Sequence, residues 1–401
     1  AIFCPSHPTS LVKLDSEQRT AKATGIPFNN IIVAATHNHG SPEYWGSLRD
    51  IYHHAAIRKY GSDPNEPVAY QQKLVDAWVA AIAAAVENLK PATIQLATEH
   101  QEGLAFNRRF HMKDGTVRFN PGRRNPDIVR TAGPVDTELP VLVFREANES
   151  EPVIATLTTF AMHTAVHNGT AFSGDFPAIL QTRLRDKLGK QVVSLFAEGT
   201  AGDVNHVDVA RKTQLRGRPE VERVGNALAD TVLGSLKNAK SVSGLHLAMV
   251  TKIGFAPFQP VSEGRFNESV IELRDYATLR QPFLKTVAAW RDCHGRRYTK
   301  QFPDGRKPLE VQAIRLNADT AIVTLPHEVF VEIGLAIKAA SPFRNTIVIS
   351  LAGDVDFYIP TRRAFEEGSY EVTTCPLDPG CGEILLDTAR SALNELKAMD
   401  N

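Results

Sequence analysis

The chain has no surplus of charge. Its 45 lysines and arginines are matched by 45 aspartates and glutamates across 401 residues. A general nucleic-acid binder carries a basic excess that follows the phosphate backbone, so that class of function is excluded. Long hydrophobic runs are missing as well: no apolar stretch is long enough to cross a bilayer as a helix. Any contact with a membrane surface would then be transient. The opening residues, "AIFCPSHPTS", have neither the charged n-region nor the apolar h-region of a signal peptide, and they lack an initiator Met. They read as a processed or truncated start.

Cysteine is scarce, with four in the chain and no CxxC pair, which removes a cysteine-based zinc site. Cys375 and Cys381 bracket "CPLDPGC", a spacing short enough for a disulfide, while Cys4 and Cys293 stand alone. None of them lies in a setting that activates a thiol. No internal repeat, low-complexity segment or long Ser/Gly linker divides the sequence, so residues 1–401 read as a single large domain.

What the chain does have is an alternation of short apolar runs and amphipathic stretches, the pattern of an α/β protein with mixed β-sheets flanked by helices. Ile31 to Ala35, Thr93 to Ala97, Leu139 to Phe144, Val153 to His163, Val192 to Phe196, Ala321 to Leu325 and Thr346 to Leu351 read as strands. Leu74 to Lys90 reads as a helix with Leu74, Trp78, Ile82, Val86 and Leu89 on its apolar stripe, stopped by Pro91. Further helices are expected from "DFPAIL", with Asp175 as its cap and Pro177 in the first turn, over Pro219 to Ala239, from about Val329, and over Gly382 to Met399. Gly244 to Gln301 is expected to hold extra strands and a helical excursion.

Polar residues of the types that bind metals cluster just past the C-terminal ends of these strands. His37 and His39 follow the first, His163 ends "TFAMH", Asp203 to Asp208 follow another, and Glu328 and Tyr358 follow two more. In α/β folds that edge is where sites are built. Along an extended strand residues i and i+2 point the same way, so His37 and His39 can face one cleft. A His, His, Glu set with an open position is the ligand type of catalytic zinc. Each residue also has a plainer reading: hydrogen-bonded histidines, and for Glu328 a carboxylate in the first turn of a helix.

The motifs "ATHNHGSPE", "FNRRF", "FAMHTAV", "FAEGTAGDVNHVD", "LPHEVF" and "DFYIPTRRAFEEGSYEV" occur in that order from about residue 31 to the C-terminus. Together they resemble the catalytic domain of the neutral/alkaline non-lysosomal ceramidase family. The resemblance implies that His37, His163, Glu328 and Tyr358 hold one zinc ion. It places His39 beside the substrate amide, matches Arg108 and Tyr370 to further catalytic positions, and puts Asn107 of the same "FNRRF" motif against substrate. It also implies a secreted or periplasmic protein acting on a lipidic N-acyl amide.

Zinc lowers the pKa of a water enough for it to attack near neutral pH. Arg108, Tyr370 or a protonated His39 would stabilise the oxyanion, and His39 would carry the proton to the leaving amine. The sequence departs from the family in two places. Asn205 stands where the family has a serine, which excludes a serine nucleophile there, and His206 and Asp208 follow as additional polar groups able to meet substrate or a second metal. The loop also has the plainer reading of Asp203 and Asn205 tied to their own backbone. The chain given also ends at Asn401, where full-length ceramidases continue into a β-sandwich, which favours a zinc amidase over a true ceramidase. Tyr44 and Trp45, just after the HxH pair, would line the acyl pocket or simply pack. Two alternatives stay open: an amidohydrolase-type barrel with a bridged metal pair drawing on Asp354 and Asp356, and a binding protein that has kept the scaffold and lost catalysis.

Overall fold

Glu138–Glu146 is the strand that organises the molecule, because its stretch from Leu139 to Val143 is buried on both faces. Alternation sends Leu139, Val141 and Val143 one way and Leu142 the other. The first set packs with Phe176, Leu180, Val221 and Leu228 of two helices. Leu142 instead meets Leu96, Leu157, Leu316, Ile322, Ile347 and Ile349, which come from two different sheets. The computed structural model describes residues 2–4, 10–42, 56–63, 70–148, 152–167, 169, 171–274 and 282–399.

Numbered in chain order, the strands of the first large sheet are β1 (Ala92–His100), β2 (Glu138–Glu146), β3 (Val153–Phe160), β4 (Val193–Glu198) and β5 (Lys240–Ser241), arranged β4-β3-β2-β1-β5. Only β3 and β4 run parallel. The second sheet is β6 (Ala248–Pro257), β7 (Arg306–Asn317), β8 (Thr320–Thr324) and β9 (Asn345–Ile349), in sequence order, with β8 and β9 parallel. Helices α1 (Asp175–Leu188) and α2 (Arg218–Ser235) cover the outer face of the first sheet. Helices α3 (Val331–Ala340) and α4 (Cys381–Ala398) cover the second, where Leu385, Ala389, Leu393 and Leu396 of α4 meet Leu309, Val311, Ala313 and Val323. The result is a four-layer sandwich, helix–sheet–sheet–helix, each buried Leu or Ile contributing about 1.5–3 kcal/mol of transfer free energy.

The two sheets are stitched at one edge. Ser350, just past β9, donates its backbone N–H to the carbonyl of Glu198 at the end of β4 (3.0 Å). The short strand Val33–Ala35 joins there too, with Ala35 N–H on Leu351 O (2.9 Å) and Gly353 N–H on Val33 O (2.8 Å). Chain ends from both sheets therefore open into one region.

Three local expectations are corrected. The helix read over Leu74 to Lys90 is Tyr70–Glu87, and its inner side is Val75 and Trp78; Leu89 falls beyond its end and is 76% exposed. Asp175 does not cap its helix from outside. It is the first helical residue, at a left-handed φ of 49°, and its carboxylate accepts the N–H of the adjacent Phe176 (2.6 Å) together with those of Val166 (2.9 Å) and His167 (2.8 Å). The expectation for Gly244 to Gln301 is met instead: it holds the strand β6 and the helices Glu263–Arg274 and Phe283–Gln301. Cys375 and Cys381 are buried free thiols.

Candidate metal centre

His37 lies two residues past the strand Val33–Ala35, His163 three past β3, and Glu328 four past β8. Their ligand atoms all lie within 4.8 Å of one another. His37 Nε2 is 3.2 Å and His163 Nε2 2.9 Å from Glu328 Oε2. His39 reaches the same place, its Nε2 3.2 Å from that of His37, while its side chain faces solvent. The route differs from simple strand alternation: the strand has ended, and His37 sits at φ 55°, a left-handed conformation that non-glycine residues rarely adopt. The turn, rather than the pleat, brings the two imidazoles together.

Hydrogen bonds fix the tautomer of His163. Its Nδ1 faces the carbonyls of Ala201 (2.7 Å) and Val204 (3.1 Å), so Nδ1 carries the hydrogen and Nε2 presents a lone pair. Burial first, and Arg108 second, pull its pKa down to about 4, which keeps the ring neutral. For Glu328, burial favours the acid form, but the neighbouring imidazoles, His37 before His163, outweigh it and hold the carboxyl well below its ordinary value. A lone pair and a carboxylate oxygen thus meet at 2.9 Å. Oε2 is buried, and no N–H is aligned on it. Acceptors converging in this way repel unless a proton or cation lies among them, and the donor set of two imidazoles and one carboxylate suits zinc. The residues fit a divalent metal.

Tyr358 stands at the rim of this set. Residues Glu328–Val329 pair in parallel with Tyr358–Ile359, so the tyrosine is the direct neighbour of Glu328. Burial, reinforced by the Glu328 charge, raises its pKa well above the ordinary value, so it keeps its hydrogen, and the same two causes raise that of Tyr370. The rings of Tyr358 and Tyr370 meet edge to face at 5.6 Å. Arg108 is aimed by three contacts: Nε donates to Glu371 (2.8 Å), Nη2 to the Gly202 carbonyl (2.7 Å), and Nη1 lies 3.3 Å from His163 Nε2.

Other candidates are placed as follows. Asn107 is buried, its amide donating to Asp203 (2.7 Å) and Pro134 O (3.1 Å) while its carbonyl accepts from Arg109 N–H. Asn205 accepts from Val207 N–H (2.9 Å) and donates to Asn120 (3.3 Å). Asp208 accepts from Ala210 N–H and pairs with Arg211 at 3.0 Å. His206 lines a cavity of about 550 Å³. Tyr44 and Trp45 fall outside the described residues. Asp354 and Asp356, on which a bridged metal pair would draw, are engaged by Lys307 (2.6 Å) and by the Tyr298 hydroxyl.

Two carboxylates that the motifs did not single out prove central. Glu198 ends β4, where burial, with the neighbouring Glu328 charge adding to it and His37 opposing it, raises its pKa to about 8. Glu371 is fully buried and takes both Arg108 and Arg109, tying Tyr370 to the arginine pair.

No protein-family model matches the sequence, and no curated protein matches it by sequence. Solved structures do match. The neutral ceramidase from Pseudomonas aeruginosa superposes with a TM-score of 0.69 at 17% identity over 98% of this chain and 65% of that one. A structure described as ceramidase complexed with C2 gives 0.68 at 17% identity over 98% and 66%. The chain therefore spans just under two thirds of the length of those proteins. Its mixed sheets, its covering helices and the common edge on which the histidines and Glu328 converge make up a neutral ceramidase-like fold.

Proposed function

We propose that the chain is a zinc-dependent hydrolase of N-acyl amides, acting on a lipidic amide and working outside the cytoplasm. The convergence of His37, His163 and Glu328 on one point, on a ceramidase-like fold, carries this reading. Those three residues would hold zinc, with Tyr358 completing the set. When bound, the metal supplies Lewis acidity and a water made acidic enough to attack near neutral pH.

The chain's own groups do the rest. Arg108 Nη1 and the protonated Tyr370 hydroxyl are donors for the negative charge that develops on the amide oxygen. His39, exposed and beside His37, exchanges a proton with solvent and delivers it to the departing nitrogen. Glu371 and the Gly202 carbonyl keep Arg108 from swinging away. Asn107 braces the loop that carries Asp203, and Asn205, His206 and Asp208 border the substrate with Tyr44 and Trp45. A neutral asparagine at 205 leaves attack by water as the route.

The test pairs metal analysis with turnover of a fluorogenic N-acyl amide. About one zinc per chain and chelator-sensitive hydrolysis are expected, with metal and activity both lost in His37→Ala. Stoichiometric zinc retained in that variant would overturn the ligand set. Zinc binding without turnover across a broad amide panel would leave a binding protein on this scaffold.

A further inference from the structure

The cavity beside His206 belongs to none of the catalytic steps above, yet it is large enough for a substrate group. Its volume of about 550 Å³ lies in the range of small-molecule sites. Its walls include Arg123, Lys212 and Arg216 and not a single carboxylate. Arg123 donates to the neutral Gln214, and Lys212 and Arg216 make no ion pair or side-chain hydrogen bond among the described residues. Gly217, the N-cap of α2, also lines it, which turns the positive end of an 18-residue helix toward the same space. Arg123, Lys212 and Arg216 give the cavity a positive lining that favours an anion over a neutral or cationic group.

Three of the cavity's walls are tied to the metal centre. Ala165 and Val166 are two and three residues past His163. Asn120 donates its backbone N–H to the Arg108 carbonyl at 2.7 Å. His206 is two residues past Val204, whose carbonyl faces His163 Nδ1. These links set the cavity beside the segments that carry His163 and Arg108. An alkyl chain gains nothing from three cations, so the polar amine portion of the amide is the part that fits.

We propose that this cavity selects N-acyl amides whose amine portion carries an anionic group, a carboxylate or a phosphate, in place of a neutral head group. The inference rests on the hydrolase reading and narrows its substrate class. In the reaction, water adds to the acyl carbon, the C–N bond breaks, and a fatty carboxylate and a protonated anionic amine leave.

The experiment compares three amides sharing one acyl chain on the zinc-loaded full chain: N-lauroylethanolamine, N-lauroylglycine and the phosphate ester of N-lauroylethanolamine. We expect kcat/KM for an anionic amide to exceed that of the neutral one roughly tenfold or more, and the ratio to fall roughly tenfold in Arg216→Glu and in Lys212→Glu. Both positions are exposed, so these variants should fold, as circular dichroism will check. The two anionic amides separate a carboxylate site from a phosphate site. A ratio near one, unmoved by either variant, overturns the anion site while the hydrolase stands. If no amide is cleaved, the hydrolase reading fails instead, and calorimetric titration of N-lauroylglycine against N-lauroylethanolamine decides the cavity. Equal affinities would then overturn it.

Discussion

Burial pulls the His206 imidazole down to about 4, with Arg123 and Arg223 adding to the fall and Glu220 opposing it. The ring is therefore neutral at pH 7, and the cavity's positive charge comes from Arg123, Lys212 and Arg216. The sign for stability follows from linkage. Between the ordinary value of 6.5 and about 4, the unfolded chain takes up a proton that the folded one refuses, so stability is complete above pH 6.5 and falls as the pH drops through that window. His206→Gln should remove a slope amounting to on the order of 3 kcal/mol across it. Denaturant melts of both proteins at pH 7 and at pH 4.5 measure this. Parallel losses in the two would show that His206 does not carry the dependence. At this scale His37, His163 and Glu328 were legible as a set: each alone has a plainer reading, but three metal-binding types at strand ends coincide less easily. Glu198 and Glu371 stayed hidden because their importance comes from tertiary burial and from partners more than a hundred residues away, Glu328 for one and Arg108 for the other.

Among the elements, the turn from Gly199 to Asn205 sets the position of the carboxylate ligand. Gly202 donates its N–H to Val329 O at 2.8 Å, and a Cβ built on it would stand 2.5 Å from the carbonyl oxygen of Glu328. Real Cβ atoms do not approach backbone that closely, and here both partners are main chain, so neither has a rotamer to yield. Gly202→Ala should push the Glu328 segment outward, lowering zinc affinity about 10- to 100-fold and stability by roughly 1–3 kcal/mol. Competition against a chromogenic chelator reads the first effect. Gly234→Ala, in α2 with open space around it, is the control and should bind zinc as the parent does. An unchanged zinc affinity in Gly202→Ala would mean that the turn does not position Glu328. The strands and helices legible in the periodicity form with ends displaced by a turn or less, while the helix Ser10–Thr24 and the strand β7 were not legible there. The turns were not readable. Nothing in "THNH" signals that His37 leaves the extended conformation, and "DFP" suggests a cap where Asp175 instead ties down Val166 and His167.

For the whole molecule, the apolar run "LPVLVF" reads as a strand, but not as one whose second face is covered by another sheet. That arrangement depends on contacts such as Leu142 with Ile347, across two hundred residues, for which local pattern holds no signal. The same architecture makes the metal a cross-link. His37 comes from the segment hydrogen-bonded to Leu351, His163 from the first sheet and Glu328 from the second, so an ion held by all three clamps the layers at their common edge. An ion bound only by the folded chain stabilises it by about 4 kcal/mol when its free concentration is a thousandfold above Kd. With an unfolding entropy near 2 cal/mol/K per residue, that corresponds to a rise in Tm of roughly 5 °C for a chain this long. Calorimetry with zinc and with chelator should show that difference in the parent and lose it in His37→Ala and in Glu328→Gln. If the variants keep the full shift, the stabilising ion sits elsewhere and the layers are not joined through this centre.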